Sequence, residues 1–313
     1  MGKNDDALQT DGPATAPGSA KKGGLKGVLR GPLRPVILKG LVIGLLTVGI
    51  LGAVWGLEKY FRKLERFQVY SDTLLLEKLP PWVTPVIRAE LADLKGIPEK
   101  FSIVEPGICG KIAQGFQAIP WVESVVSVRR VFPNRMVVDL KLRRPIVGVK
   151  VGKFQYLTDA RGYRLSGPLR DWPSGSFDLP LVVTRTVDAV PERGERWKDF
   201  GVLSGVAVQT YLLRAPLQTR IKVIDLTNLD GKTDPRESEV VLWTERNTRI
   251  DWGRSPLRKN SPGEICPTVK IAKMVDFEKR NGPMSLFGNV KVHYDEVLVD
   301  GRVPSARVVA AGG

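Results

Sequence analysis

Residues 119–149 read "IPWVESVVSVRRVFPNRMVVDLKLRRPIVGV", two alternating runs about a Phe-Pro-Asn turn. In the first run Val122, Val126 and Val128 alternate with Glu123, Ser127 and Arg129. In the second, Met136, Val138, Leu140 and Leu142 alternate with Arg135, Asp139, Lys141 and Arg143. A period of two predicts a half-buried hairpin with one apolar face to be covered and one charged face in water. The cover has to come from elsewhere in the chain.

Upstream, "PPWVTPVIRAELADLKG" predicts a helix carrying Val86, Ala89 and Glu90 at helical spacing and stopping at Gly96. "GICGKIAQGFQAI" predicts a second, with Ile108, Ile112 and Phe116 four apart and Pro120 ending it. "ERFQVYSDTLLLEKL" before them reads as one short strand. The predicted order is strand, helix, helix, strand, strand, and two helices suffice to cover one face of a three-stranded sheet.

The 313 residues, 42% of them hydrophobic, are enough for one or two domains with real cores. A formal charge of +15 points to an anionic neighbour: nucleic acid, lipid headgroups or an acidic polymer. Seven Lys or Arg against three Asp lie in the first 39 residues, within a Gly-, Pro- and Ala-rich composition that predicts a disordered basic tail over residues 1–35. "GLVIGLLTVGILGAVWGL", residues 40–57, carries no charge and spans about 27 Å as a helix. With residues 36–39 it is expected to be an uncleaved signal anchor over 36–57, since the basic lead is long and no small-residue cleavage site follows, as a cleaved signal peptide would require. The basic lead favours a cytoplasmic N-terminus, although Lys59, Arg62, Lys63 and Arg66 on the far side weaken the contrast. Subtracting the tail's net +4 leaves +11 on residues 58–313, expected to face an envelope, and anionic lipids are the expected partner of the tail. DNA binding by the tail is the weaker alternative.

The chain offers little catalytic chemistry. His293, the single histidine, falls in an alternating run. Cys109 and Cys266 are far apart and neither belongs to a C-x-x-C pair. Asp295 and Glu296, as neighbours in a strand, would point to opposite faces. "GVLSGVAV" around Ser204 lacks the G-x-S-x-G of a nucleophile elbow, and no phosphate-binding glycine loop occurs. No catalytic, cofactor or metal residue is expected, no cofactor, and no small-molecule substrate.

Pro120, Trp121, Val122, Val126, Val128, Arg129, Pro133 and Pro145 together resemble the POTRA domain of the FtsQ/DivIB family of bacterial cell division proteins. The likeness continues downstream. Asp159 and Gly162 sit in a turn between two strands, Leu179 and Pro180 follow a Pro- and Gly-rich connection, and "SEVVLWTERNTRIDWGR" forms a hairpin ending in Trp252 and Gly253. "VKIAKMVDFEKR" then forms an amphipathic helix with Ile271, Met274 and Val275 on one side and Lys273, Glu278 and Lys279 elsewhere. The chain departs from the family pattern in the extra prolines of residues 67–105 and in a longer loop, "RSPLRKNSPGEICP".

The resemblance implies an α+β fold: one transmembrane helix, a POTRA domain of order β-α-α-β-β over 58–145, an FtsQ-type mixed β-domain over 146–300, and a flexible tail over 301–313. It implies a non-enzymatic, single-pass protein of the bacterial inner membrane at the division septum, with its C-terminal domains outside the cytoplasm. Its partners would be small membrane proteins similar to FtsB and FtsL, docking by strand addition to the β-domain. Residues carried over from the family's contact positions are Arg236, Val290, Val292, His293, Tyr294 and Val297, with residues 289–299 expected to form the docking edge. Two alternatives stay open: a POTRA-containing export or envelope assembly factor, and a peptidoglycan-binding envelope protein.

Overall fold

A computed structural model describes residues 34–170, 177–258 and 263–302. The expected basic tail up to residue 33 and the expected flexible tail from residue 303 lie outside the described residues. Part of the Pro- and Gly-rich connection (171–176) and part of the long loop (259–262) lie outside them as well. The described chain is a mixed α+β structure: one long apolar helix, then a sheet-rich body.

Helix α1, Arg34–Lys63, has 30 residues, about 45 Å at the usual rise. Within it Leu38–Lys63 is long and apolar enough to cross a membrane. The helix begins two residues before the expected anchor and runs six beyond it. Glu58, Lys59, Arg62 and Lys63 are good helix formers, so loss of hydrophobicity after Leu57 does not end the backbone ladder. Lys59 bends back over the Trp55 ring, 3.7 Å from its centroid, the posture of a basic side chain reaching from an apolar stem.

The body begins with β1 (Gln68–Tyr70), β2 (Leu75–Glu77), α2 (Pro85–Ala92), β3 (Lys100–Ser102), α3 (Ile108–Gln117), β4 (Val122–Val131) and β5 (Arg135–Leu142). The single strand expected before the helices is two. A 3-10 turn at Ser71–Thr73 separates β1, which pairs with β3, from β2, which runs parallel to β5. The resulting three-stranded sheet has the order β2-β5-β4. Thr84 caps α2, its hydroxyl oxygen accepting from the Ile87 N–H at 3.4 Å, and Pro85 occupies the first turn, where no amide donor is needed. The buried face of α2 is Ile87 and Leu91, while Val86 is exposed. The helix is where it was expected, but the spacing of Val86, Ala89 and Glu90 does not mark its buried stripe, because a two-turn helix carries too few apolar residues to fix its phase. On α3 the four-residue spacing of Ile108, Ile112 and Phe116 is the buried face, and it joins Met136, Val138 and Leu140 of β5 in one core.

The first arm of the hairpin breaks its alternation. Two bulges, at Val122/Ser124 and Val125/Ser127, each place an extra residue on β4 opposite β5. An extra residue inverts the side-chain face of everything after it. Val125 and Val128 therefore pack on the core, and Val126 is 61% exposed.

A nine-stranded sheet follows, built from β6 (Pro145–Val151), β7 (Phe154–Asp159), β8 (Arg164–Leu169), β9 (Leu181–Thr184), β10 (Ile221–Leu226), β11 (Val240–Thr244), β12 (Arg249–Gly253), β13 (Phe287–Lys291) and β14 (Leu298–Arg302). Its order is β14-β13-β12-β11-β10-β9-β6-β7-β8. β9 runs parallel to β6 and β10, and β13 parallel to β12; the other pairs are antiparallel. Helices α4 (Phe200–Leu212) and α5 (Pro267–Asn281) share its main core with Trp197 and Trp252. Nothing in the sequence pattern announced α4, because "FGVLSGVAVQTYL" is apolar on nearly every side. Gly205 lets it press on β9: a Cβ there would stand 2.6 Å from a Val182 methyl.

The turn between β7 and β8 joins the two parts of the body. Oδ1 of Asp159 accepts from the N–H groups of Arg161 (2.9 Å) and Tyr163 (2.8 Å), and Gly162 takes φ +81°. Oδ2 of the same carboxylate accepts from Arg143 at 2.9 Å, and that guanidinium lies 4.0 Å from the Tyr163 ring centroid. Leu157 and Leu165 complete the core formed by α2, α3 and β5, so residues on both sides of position 145 share one apolar cluster.

Candidate partner-binding edge

The docking edge expected over residues 289–299 is not one strand. β13 ends at Lys291, residues 293–296 form a bend, and β14 returns antiparallel, with Val290 opposite Val299 and Lys291 opposite Leu298. β13 is therefore an internal strand between β12 and β14. Tyr294, Asp295 and Glu296 interrupt two apolar runs, "VKV" and "VLV", with residues suited to a turn; that interruption was the signal for a hairpin. Asp295 and Glu296 consequently belong to a bend, where the strand rule of opposite faces does not apply.

The six expected contact residues separate into three settings. Val290 and Val292 are fully buried in the main core, and Val297 packs against it half-buried. None of those three presents a free face. His293 is half-buried and Tyr294 is 48% exposed in the bend. Arg236 is exposed in the loop before β11, its N–H donating to Oδ1 of Asp234 at 2.8 Å. Val240 pairs with Gly253, and Asp251 with Lys291, so the Arg236 loop and the His293 bend lie at the same end of the sheet.

The free edge is β14, of which only Leu298 and Val299 fall within the expected range 289–299 and neither is among the six expected contact residues. Leu298 is 47% and Val299 39% exposed. Among the described residues no strand pairs with the outer side of β14.

The bend is held from below. The Val292 N–H donates to the Asp251 carbonyl at 3.0 Å, and Nδ1 of His293 lies 3.2 Å from the same oxygen. Nζ of Lys273, on α5, donates to the Tyr294 carbonyl at 3.0 Å. The His293 and Tyr294 rings stand 4.1 Å apart, tilted by 38°. Gly253 makes room for this arrangement: its φ is +97°, and a Cβ would lie 2.7 Å from Cβ of His293.

Beside Gly253 the ammonium of Lys270, in a side chain buried on α5, donates to the Trp252 carbonyl at 2.5 Å and pairs with Glu264. Glu264 also accepts from the Arg254 N–H at 3.1 Å. Burial pushes the Lys270 ammonium below its ordinary value, and Glu264 opposes that shift. One helical turn pair further on, Glu278 is buried too, accepting from the N–H groups of Gln218 (2.6 Å) and Thr219 (3.0 Å) and from the Thr219 hydroxyl. The expectation that Glu278 lay off the buried side of its helix was wrong. With the Met284 N–H, which donates at 3.4 Å, three backbone amides and one hydroxyl satisfy its carboxylate, and such pairing makes a buried charge tolerable.

The sequence's weak catalytic candidates fall in structural settings. Ser204 is buried on α4, donating to the Phe200 carbonyl and accepting from the Ser255 hydroxyl, both at 2.7 Å. Both cysteines are free thiols, Cys109 half-buried and Cys266 exposed. Among the described residues no group of three or more His, Cys, Asp or Glu is placed to hold a metal ion. In comparisons with known proteins, no family model matches the chain and no curated protein matches it.

Proposed function

We propose that the chain is a single-pass membrane scaffold of bacterial cell division, similar to the FtsQ/DivIB family. In this reading α1 is the anchor, the N-terminus is cytoplasmic, the β2-β5-β4 sheet with α2 and α3 is a POTRA domain, and the body stands outside the cytoplasm at the septum. Small single-pass proteins similar to FtsB and FtsL would add a strand to β14, gaining affinity from main-chain hydrogen bonds and selectivity from alternate side chains.

The observation that carries this reading is the outer edge of β14, with exposed Leu298 and Val299 beside exposed Tyr294. Tyrosine at such an edge brings rigid amphipathic area, which makes it a frequent anchor of interfaces. Val292, though among the residues carried over from the family's contact positions, is a poor place to test this edge. Its N–H is committed to Asp251, so a proline there would damage the sheet and not just the interface.

The test is affinity purification of the tagged full chain from chemically cross-linked membranes. The wild type is expected to recover small single-pass division proteins. The paired change Leu298→Lys and Val299→Lys is expected to lose them at an unchanged melting temperature, and Lys279→Ala, on the exposed side of α5, to keep them. Equal recovery by the edge variant would place the interface elsewhere.

A further inference from the structure

The tip of the β4–β5 hairpin gathers apolar and basic side chains at one exposed point. Phe132 and Val131 are 63% and 41% exposed. Arg129, Arg130 and Arg135 are exposed around them. Arg129 pairs with Glu77 at 2.5 Å and Arg130 donates to the Glu105 carbonyl at 2.9 Å, whereas Arg135 has no ion pair among the described residues.

The Phe132 ring meets Phe67 edge-on at 6.3 Å, and the Arg66 guanidinium lies 4.8 Å from the Phe67 ring centroid. Phe67 stands only four positions after Lys63, the last residue of α1, a tether of at most about 14 Å. The exposed tip is thus tied to the chain's exit from its membrane-length helix. Beside it opens a groove of about 670 Å³ lined by Glu65, Gln68, Tyr70, Lys100, Asn134 and Arg135, among others.

We propose that this tip is a foot on the membrane surface, with Phe132 and Val131 at the lipid boundary and Arg66, Arg130 and Arg135 on the phosphates of anionic phospholipids. Aromatic rings favour the interfacial layer, and each basic residue near an anionic surface adds attraction. Charge complementarity supports lipid as the occupant: four arginines surround the two phenylalanines, against Glu65 and the already paired Glu77. The groove is large enough for a headgroup and carries ammonium, guanidinium and amide donors. The proposal rests on α1 lying in a bilayer and is independent of which proteins dock at β14.

The experiment uses the full chain in nanodiscs, with Cys109→Ser and Cys266→Ser as background and a spin label at Asn134→Cys. Collision with a water-soluble nickel complex and with oxygen reports the depth of the label. In discs containing phosphatidylglycerol the label is expected to be protected from nickel several-fold relative to one at Lys279→Cys. That protection is expected to fall in neutral phosphatidylcholine discs, and to weaken about fivefold for each of Arg130→Gln and Arg135→Gln. A third label at Gly49→Cys reports α1. Lipid exposure there with an aqueous signal at position 134 in both discs overturns the foot alone and leaves the tip as a surface for another protein. Aqueous signals at both positions overturn the membrane reading as well. Equal protection in the two lipids overturns the role of the anionic headgroup charge.

Discussion

The two edge strands β4 and β14 face the same physical problem and treat it differently. Each is one arm of a hairpin, each has one side of its ladder unpaired among the described residues, and each exposes apolar side chains, Val126 and Val131 on β4 and Leu298 and Val299 on β14. β4 breaks its register twice and sets Arg129 and Arg130 on its exposed stretch. Bulges and charge are the usual means of keeping an edge from pairing with another chain. β14 keeps an unbroken register with β13 and exposes Leu298 and Val299. The contrast teaches that exposure of an edge is not by itself a docking signal, whereas an unbroken register with adjacent exposed apolar side chains is one.

The largest effect expected from that contrast comes from one substitution made in each hairpin. Val138→Asp on β5 would bury an unpaired carboxylate under α3, costing several kcal/mol. Val299→Asp on β14 would cost within about 0.5 kcal/mol, as for an exposed position. Thermal unfolding of the purified full chain in detergent separates the two; a comparable loss from both would mean that β14 is buried in the folded protein.

A smaller effect sharpens the account of the bend. Lys270→Ala would leave Glu264 and the Trp252 carbonyl without their donor, a loss of about 3–5 kcal/mol for breaking a buried pair. The same lysine gives a pH signature. Because burial holds its ammonium below the ordinary 10.5, the unfolded chain retains between the depressed value and 10.5 a proton that the folded chain has released. Stability therefore rises with pH across that interval, and Lys270→Met is expected to flatten the slope. Denaturant titrations at a series of alkaline pH values measure both, and an unchanged slope in the variant would show that Lys270 is not the group responsible.

Periodicity made part of the fold legible. The stripe of Ile108, Ile112 and Phe116 and the alternation of Met136, Val138 and Leu140 are the buried faces of α3 and β5, because each runs without interruption through its element. It failed on β4, where bulges leave no mark in residue type, and on α4, where burial on nearly every side erases the amphipathic pattern. The candidate site was legible only at Tyr294 and the Arg236 end of the sheet. Alternation over Val290 and Val292 does not reveal whether another strand follows, and a strand reading continued through Asp295 and Glu296 overlooks the turn that announces β14. The inward side of α5 was hidden for a different reason: Lys270 and Glu278 are charged, and only their partners on distant segments make their burial affordable.

Amide hydrogen exchange along β14, read residue by residue on the full chain alone and with its co-purified membrane partner, tests strand addition most directly. Alone, the strand is expected to show alternating rates, slow where the N–H faces β13 and fast where it faces outward. With the partner bound, the fast positions are expected to become protected while the outward amides of β4 keep their rates. Unchanged exchange along β14 in the complex would contradict the account.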